Sequence, residues 1–232
     1  MKNIIGSGFL AKKIFKINTL IKKRKIYIYA AGISNSSTTN KRNLKKEINK
    51  IYRFHKIFDQ NSKLIYISTL SVNDRHRINR AYVKNKIIIE SFVIRKFKNY
   101  IIVRLPEVIG KNNNKKTLTN FLCSHILRSK KFKLWDGAIR NLIDIDDIVK
   151  LIKKIVNRKY KNKIIEIKND KNIKIKDLVV LFEKILGKKA VFKLLKNKIR
   201  ENNKVKIKKK AIAIKLLTKN NYITNVIKKY YL

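Results

Sequence analysis

Two glycines near the N-terminus lie between a short apolar run and a helical segment. The apolar run, Lys2–Ile5, has strand character, and the helical segment continues to about Leu20. In the Gly-x-Gly-x-x-Ala pattern between them, the first glycine permits a tight turn and the second lets a pyrophosphate approach the backbone at the helix N-terminus. The small third residue lets helix and strand pack closely. The pattern predicts a dinucleotide-binding α/β unit, although an ordinary glycine turn at a strand end has the same spacing. The residues expected to line the pyrophosphate are Gly6, Ser7, Gly8, Phe9, Leu10 and Ala11.

A later strand-and-helix unit, Leu64–Glu90, carries the candidate proton-transfer residues. Its apolar run ends in Ser68 and Thr69, and the helix that follows a polar loop holds Tyr82 and Lys86. Positions i and i+4 share one face of a helix, so the Lys86 ammonium can lie near the Tyr82 phenol. There a cation favours the phenolate and lowers its pKa from about 10. With a hydroxyl from the strand end, the pattern suits proton transfer to or from an alcohol.

The spacing of this pair is not diagnostic by itself, because the chain is rich in lysine. Tyr52 and Lys56 form the same pair by coincidence in the preceding helix. The order of segments distinguishes Tyr82: an apolar strand, Ser-Thr, a loop and then Tyr-x-x-x-Lys. A solvated helix face is the alternative interpretation.

The segment after the glycine loop departs from the usual dinucleotide-binding pattern. That pattern places an acidic residue about 20 residues further on, where it binds the adenosine ribose. Here no acidic residue precedes Glu47, and Lys22–Lys25 is basic. A basic cluster at this position could bind a 2′-phosphate, which would favour NADP over NAD. The cluster is explained equally well as a helix end whose lysines face water.

The composition fits a globular chain with an unusual charge. A length of 232 residues suits one domain, or a domain with a small appendage, and 44% hydrophobic residues suffice for a core. The formal net charge of +46 suggests a polyanion partner such as nucleic acid. However, the lysines are spread over the whole chain, and proline is nearly absent. We therefore favour coding bias over a selected polyanion site and expect no nucleic-acid partner.

Three features indicate the compartment. The single cysteine, Cys123, excludes a disulfide framework and fits a reducing environment. No window approaches the roughly 20 apolar residues of a membrane span. The N-terminus lacks the layout of a signal peptide. We expect a cytoplasmic protein without a membrane partner.

No metal site is expected from the sequence. The three histidines have no metal-ligand spacing. Asp144, Asp146 and Asp147 suggest a metal at first, but Asp146 or Asp147 is better explained as the cap of the helix that follows.

The segments, in their order along the chain, resemble the extended short-chain dehydrogenase/reductase family, specifically its NAD-dependent epimerase/dehydratase group, which acts on nucleotide sugars. The resemblance spans nearly the whole chain and is clearest over residues 1–150. It implies a truncated Rossmann-like parallel sheet flanked by helices, with a small C-terminal α/β substrate subdomain. We expect the boundary between residues 1–161 and 162–232. The motifs that carry the resemblance are Gly6–Ala11, Ala30–Gly32, Ser68-Thr69, Tyr82-x-x-x-Lys86, Arg104–Gly110 and Arg140–Asp147.

The resemblance also implies roles for individual residues. Tyr82 would be the acid/base on a sugar hydroxyl, and Lys86 would tune Tyr82 and bind the nicotinamide ribose. Thr69, with Ser68, would hydrogen-bond the reacting oxygen. The remaining implied contacts are Ala31, Gly32 and Pro106 to the cofactor, and Arg140 and Ser34 to the nucleotide sugar.

In one respect the sequence departs from this family. The family has two further strand-helix units before the strand that ends in Ala-Ala-Gly, whereas here Ala11 is followed closely by the strand that begins at Lys25. The missing strands would build the adenosine side of the cofactor site.

Three functions are therefore considered. The first is an NAD(P)-dependent oxidoreductase or epimerase of a nucleotide sugar in surface polysaccharide synthesis. The second is a non-catalytic binding or scaffold protein of the same fold, and the third is a polyanion-binding protein. Members of the family that the chain resembles are often dimers through the tyrosine-bearing helix. The resemblance thus allows a homodimer through the Tyr82 helix, in which Ile87, Ile88, Phe92 and Val93 could provide the contacts.

Overall fold

The computed structural model describes residues 3–74, 77–195 and 211–232. Within these residues the strands are β1 (Ile4–Ile5), β2 (Ile26–Tyr29), β3 (Lys63–Thr69), β4 (Tyr100–Leu105), β5 (Glu107–Ile109), β6 (Phe132–Trp135), β7 (Ile139–Asp144), β8 (Lys163–Asn169), β9 (Asn172–Lys174), β10 (Phe192–Leu195) and β11 (Ala211–Leu216). The helices are α1 (Phe9–Ile14), α2 (Asn18–Lys23), α3 (Lys41–Lys56), α4 (Ala81–Lys96), α5 (Leu118–Leu127), α6 (Ile145–Asn157), α7 (Ile175–Leu186) and α8 (Tyr222–Tyr231). Short 3₁₀ helices span Phe15–Ile17 and Leu70–Asn73.

A six-stranded sheet has the order β1-β2-β3-β4-β8-β11. The pairs β1–β2, β2–β3, β3–β4 and β4–β8 are parallel, and Ile65 lies opposite Ile28 on one side and Ile101 on the other. Parallel strands require crossover connections and are covered on both faces, which explains why these strands are continuous apolar runs. The predicted parallel α/β architecture is confirmed.

Helices α3 and α4 contribute to the core of this sheet. The buried residues of α3 recur every three or four positions, which places them on one face of the helix: Leu44, Glu47, Ile51 and Phe54. Phe54 packs in one cluster with Tyr66 of β3 and Ile89 of α4. Glu47 is the one acidic residue among the buried residues of α3.

The chain divides into two compact units built from alternating segments. Of the described residues, the first comprises 3–74, 77–105, 146–167 and 211–214, and the second comprises 106–145, 168–195 and 215–232. The sequence suggested a single boundary after residue 161, and the structure divides the chain differently. The reason lies in the strand pairing: β4 is paired with β8, so the chain returns to the main sheet after leaving it at Leu105.

The second unit has its own sheets and core. β7 is parallel to β5 and antiparallel to β9, and β10 is parallel to β6. The apolar core contains Leu122 and Ile126 of α5, Leu178 and Phe182 of α7, and Ile227 of α8. In the described parts of the chain, no helix is both long and apolar enough to cross a membrane.

Candidate functional site

The glycine loop and the ends of β2 and β3 lie at one edge of the first unit's sheet. Because the strands are parallel, their carboxyl ends meet at the same edge, where ligands of open α/β sheets bind. The Ala30 backbone N–H donates to the Ile5 carbonyl at 2.8 Å, which fixes the end of β2 beside the end of β1. Gly6, Gly32 and Thr69 follow or end these neighbouring strands.

The two glycines of the loop have different structural roles. Gly6 has φ +137°, and a Cβ added there would lie 2.7 Å from the Ala30 carbonyl oxygen. Gly6 is therefore required by the fold itself. Gly8 has φ −74° at the start of α1, and an added Cβ would meet no atom within 4 Å. The space above Gly8 is open, as close approach of a ligand to the backbone would require.

The other residues of the loop differ in exposure. Ser7 is exposed, Phe9 and Leu10 are partly buried, and Ala11 is fully buried. The burial of Ala11 agrees with its expected role as the small residue between helix and strand.

The two hydroxyls at the end of β3 have different partners. The Ser68 hydroxyl is buried and donates to Glu90 Oε1 at 2.5 Å. Thr69 Oγ1 accepts from the Ser71 backbone N–H at 3.2 Å, at the start of the 3₁₀ helix. The Ser68 hydroxyl is thus used in a buried hydrogen bond, whereas the Thr69 hydroxyl is only partly buried at the strand end.

Tyr82 and Lys86 both point inward from α4. Tyr82 packs in a small apolar cluster with Val72, in the segment after Thr69, and with Ile33, in the segment after Gly32. The Lys86 ammonium nitrogen lies 5.6 Å from the centroid of the Tyr82 ring. The structure thus brings the expected tyrosine and lysine together, between the loops that follow β2 and β3.

Lys86 also has a partner that the sequence did not suggest. Its ammonium donates to Glu47 Oε1 at 2.7 Å, and Asn85 Nδ2 donates to Glu47 Oε2 at 2.9 Å. Glu47, Asn85 and Lys86 are all buried. A side chain at Gly32 would collide with the Lys86 ammonium and approach Glu47 Oε1 to 3.0 Å. Gly32 therefore leaves room for this ion pair.

The surroundings of Lys86 determine its charge. Burial alone would lower its pKa, because it disfavours the charged ammonium. Negative charge on the Tyr66 and Tyr82 oxygens, and the Glu47 carboxylate with its hydrogen bond to the ammonium, act in the opposite direction and raise the pKa above its ordinary value. Lys86 is therefore an ammonium at neutral pH.

A second buried ion network lies beneath the end of β3. The Arg104 guanidinium donates to both carboxylate oxygens of Glu90, at 3.1 and 2.7 Å, and to Glu166 Oε1 at 3.1 Å. Asn73 Nδ2 donates to the same Glu166 oxygen at 2.5 Å. This network joins β4, α4 and β8 and supports Ser68 through Glu90.

The sequence interpretation did not identify Glu47, Glu90 or Glu166 as site residues. A usable signal was present, because the chain has only 14 acidic residues. Glu47 falls on the apolar spacing of α3, and Glu90 lies in an apolar stretch of α4. An acid in such a position is buried only when it is paired.

The remaining candidate residues stay predictions. Ser34 is exposed in the loop after β2. Pro106 and Arg140 belong to the second unit, where Arg140 Nη1 donates to the Ile139 carbonyl at 2.7 Å. Lys22–Lys25, at and after the end of α2, is exposed to solvent. Over residues 3–74, 77–195 and 211–232, no three His, Cys, Asp or Glu side chains are grouped as metal ligands.

The expected dimer contacts on α4 are only partly at the surface. Ile88 is 46% exposed, and the Phe92 ring packs at a tilt against Tyr52 of α3 with ring centroids 4.3 Å apart. Val93 is fully buried against the sheet. Val93 is therefore a core residue, because it lies on the side of α4 that faces β3 and β4.

The central part of the chain matches the sequence profile of a known protein family. Residues 57–167 match the sequence profile described as the NAD dependent epimerase/dehydratase family. The match includes Ser68, Thr69, Tyr82 and Lys86 and confirms the resemblance seen in the sequence, while the glycine loop lies outside it. A search of functionally curated protein sequences found no match to the chain.

Solved structures with this fold cover most of the chain. UDP-glucuronic acid 4-epimerase from Bacillus cereus, in complex with UDP-glucuronic acid and NAD, is 17% identical and has a TM-score of 0.62, covering 94% of this chain and 74% of that chain. UDP-N-acetylglucosamine 4-epimerase from Methanobrevibacter ruminantium is 16% identical with a TM-score of 0.64, covering 91% and 78%. A dTDP-4-dehydrorhamnose reductase from Clostridium acetobutylicum is 16% identical with a TM-score of 0.63, covering 98% and 96%. At these identities the likeness establishes the Rossmann-like fold.

Proposed function

Because residues 57–167 match the profile of the NAD dependent epimerase/dehydratase family, we propose that this chain is an NAD(P)-dependent enzyme that oxidises, reduces or epimerises a nucleotide sugar. One observation carries the proposal: Tyr82 and Lys86 point inward at the edge of the sheet, between the loops that follow β2 and β3. The fold neighbours include structures in complex with NAD, NADPH and UDP-sugars, which supports the same class of ligands.

Tyr82 is proposed as the group that moves the proton. Its phenol takes a proton from a sugar hydroxyl during oxidation and returns one during reduction. The Lys86 ammonium favours the phenolate form, because an opposite charge nearby stabilises it. Thr69 is the available hydroxyl at the strand end for a hydrogen bond to the same sugar oxygen. Ser68 is assigned a supporting role, since its hydroxyl donates to Glu90.

The residues at the glycine loop fit a bound dinucleotide on its pyrophosphate side. The open space above Gly8 admits a phosphate close to the backbone, and Gly6 keeps the loop against the end of β2. When bound, NAD or NADP supplies the hydride acceptor or donor. We assign Ala31, Gly32 and Lys86 to its nicotinamide side, together with Pro106. Arg140 and Ser34 are proposed contacts of the nucleotide sugar.

The chain provides fewer residues to bind the adenosine half of NAD(P). Among the described residues, β1 is the edge strand of the sheet, and no further strand pairs with its outer side. We therefore expect NAD(P) to be held mainly through its pyrophosphate and nicotinamide halves, with weaker affinity than a complete adenosine site would give.

Isothermal titration calorimetry tests the proposal directly. NAD⁺, NADH, NADP⁺ and NADPH are each titrated into the purified protein, whose folding is checked by circular dichroism. We expect the protein to bind NAD⁺ and NADH, or NADP⁺ and NADPH, or both couples. A preference for NADP⁺ and NADPH would indicate a role for Lys22–Lys25. Folded protein that binds none of the four contradicts the proposal.

A second candidate function is a non-catalytic binding protein of the same fold. It is favoured by the edge position of β1 and by the engagement of Lys86 with Glu47. Folded protein that binds a UDP-sugar but no dinucleotide supports this candidate. Turnover of a sugar nucleotide that depends on Tyr82 excludes it.

A further inference from the structure

Glu47 is an acidic residue in an otherwise apolar position. It lies on α3 between Leu44 and Ile51 on the buried face of the helix, and its carboxylate meets two donors from α4. Burying a carboxylate without a partner is costly, and the distances of 2.7 and 2.9 Å show that both oxygens are used. The ion pair thus links α3 to the two α4 residues Asn85 and Lys86.

We propose that Glu47 is a positioning residue, whose carboxylate fixes the Lys86 ammonium beside Tyr82 and offsets part of its charge. The inference rests on the proposed function for the role of Tyr82 as acid/base. Glu47 acts through Lys86 and belongs to neither the cofactor nor the sugar site.

The groups around the ammonium determine the expected effect. Tyr66 of β3 faces it with its ring centroid 5.7 Å from Nζ, and Tyr82 faces it from its own helix. Glu47 is the carboxylate from α3, Tyr29 of β2 interacts electrostatically with both charges of the pair, and Glu90 interacts with Tyr66. Removing the Glu47 charge leaves more net positive charge around Tyr82. The phenolate is then favoured at lower pH, because a positive charge stabilises the ionised phenol.

The test compares the parent protein with Glu47→Gln by ultraviolet titration of tyrosinate. The contribution of Tyr82 is isolated by subtracting the titration of Tyr82→Phe measured in each background. We expect Tyr82 to ionise about one pH unit lower in Glu47→Gln than in the parent, in the range that one nearby charge produces. Glu183→Gln is the matched control. Glu183 lies in the second unit and accepts from the Ala190 N–H, so its loss changes the net charge equally without altering the ion pair.

An unchanged or higher titration of Tyr82 in Glu47→Gln contradicts the inference. If this variant does not fold, reductive methylation of the parent protein, read by mass spectrometry, provides the test. We expect Lys86 to be modified at least tenfold more slowly than exposed Lys84 on the same helix. Equal rates of methylation at Lys86 and Lys84 would show that the Lys86 ammonium is accessible and is not held in the ion pair with Glu47. Neither measurement needs bound cofactor, so failure of the proposed function leaves this result interpretable.

Discussion

Arg104 of β4 and Glu90 of α4 form a two-bond ion pair in the interior, with Nη2 to Oε2 at 2.7 Å and Nε to Oε1 at 3.1 Å. The same guanidinium contacts Glu166, so one cation serves two buried carboxylates. Ser68, at the end of β3, donates to the same Glu90. The strand end that presents Thr69 is thus supported by charged side chains from three other elements.

Replacing Arg104 by methionine should destabilise the protein strongly. The substitution leaves Glu90 and Glu166 buried without their cation, and breaking a buried pair in this way costs about 3–5 kcal/mol. Urea unfolding followed by circular dichroism measures the change in the free energy of unfolding.

Lys150→Met provides the control for that measurement. Lys150 is 73% exposed in its pair with Asp147, and an exposed pair contributes about 0–1 kcal/mol. Equal effects of Arg104→Met and Lys150→Met would mean that the Arg104 network is not buried as described.

The two loop glycines should respond differently to alanine. Gly6→Ala places a Cβ against the Ala30 carbonyl in a backbone conformation that favours glycine, and we expect a loss of about 2–4 kcal/mol from strain and overpacking. Gly8→Ala meets no neighbouring atom, so its free energy of unfolding should change by less than about 1 kcal/mol. Thermal and urea unfolding of both variants measure these changes.

Gly8→Ala also tests the pyrophosphate side of the proposed cofactor site. The added methyl group occupies the open space above the backbone, so we expect weaker NAD(P) binding by calorimetry in a protein that is still folded. Full retention of binding would place the pyrophosphate elsewhere.

Tyr82→Phe should abolish proton transfer while preserving the fold. We expect turnover of a sugar nucleotide to fall by about 10²–10⁴-fold, as for loss of a general acid/base, with dinucleotide binding retained. Steady-state kinetics of the purified variants provide the measurement.

Tyr52→Phe is the matched control for Tyr82, because Tyr52 has a lysine at the same spacing but is 40% exposed on α3. We expect its turnover to equal that of the parent. Activity that survives in Tyr82→Phe would contradict the proposed acid/base.

Tyr66→Phe should leave the stability unchanged or raise it by about 1 kcal/mol. Among the described residues, the buried Tyr66 hydroxyl has no hydrogen-bond partner, so its removal relieves a desolvation cost. Tyr230→Phe should behave in the opposite way, because the Tyr230 hydroxyl donates to Asp144 Oδ1 at 2.7 Å. We expect it to cost about 1–3 kcal/mol. Urea unfolding at neutral pH compares the two, and a large loss in Tyr66→Phe would reveal a partner for its hydroxyl.

The parent protein should lose stability as the pH rises above about 10. Burial raises the pKa of Tyr66, and likewise that of Tyr29, so in this range the unfolded chain loses phenolic protons that the folded protein retains. The unfolded state then binds fewer protons, and the free energy of unfolding falls with pH. Tyr66→Phe removes one of these groups and should make the decline less steep. Unfolding curves between pH 8 and 11 measure how steeply the free energy of unfolding falls with pH in the parent and in Tyr66→Phe. Identical slopes would contradict a raised pKa of the Tyr66 phenol.

Much of the local structure was predictable from the sequence. The apolar run that ends in Ser68 and Thr69 is a strand, and Tyr82 and Lys86 lie on one helix after it, as their order along the chain predicts. Such features depend on the period of apolar residues within one segment. The need for glycine at position 6 also follows from its place between a strand and a helix.

Only the tertiary structure showed which distant charges meet. Glu47 lies 39 positions before Lys86, and Glu166 lies 62 positions after Arg104, so neither pair has a local signal in the sequence. Their meeting depends on α3 and α4 packing together and on β4 pairing with β8. The same pairing determines the alternation of the two units along the chain. The sequence by itself determined the strand that ends in Ser68 and Thr69 and the presence of a tyrosine and a lysine on the helix that follows. The environment of that lysine was decided by the fold, because burial and ion pairing arise only when distant segments exclude water from between them.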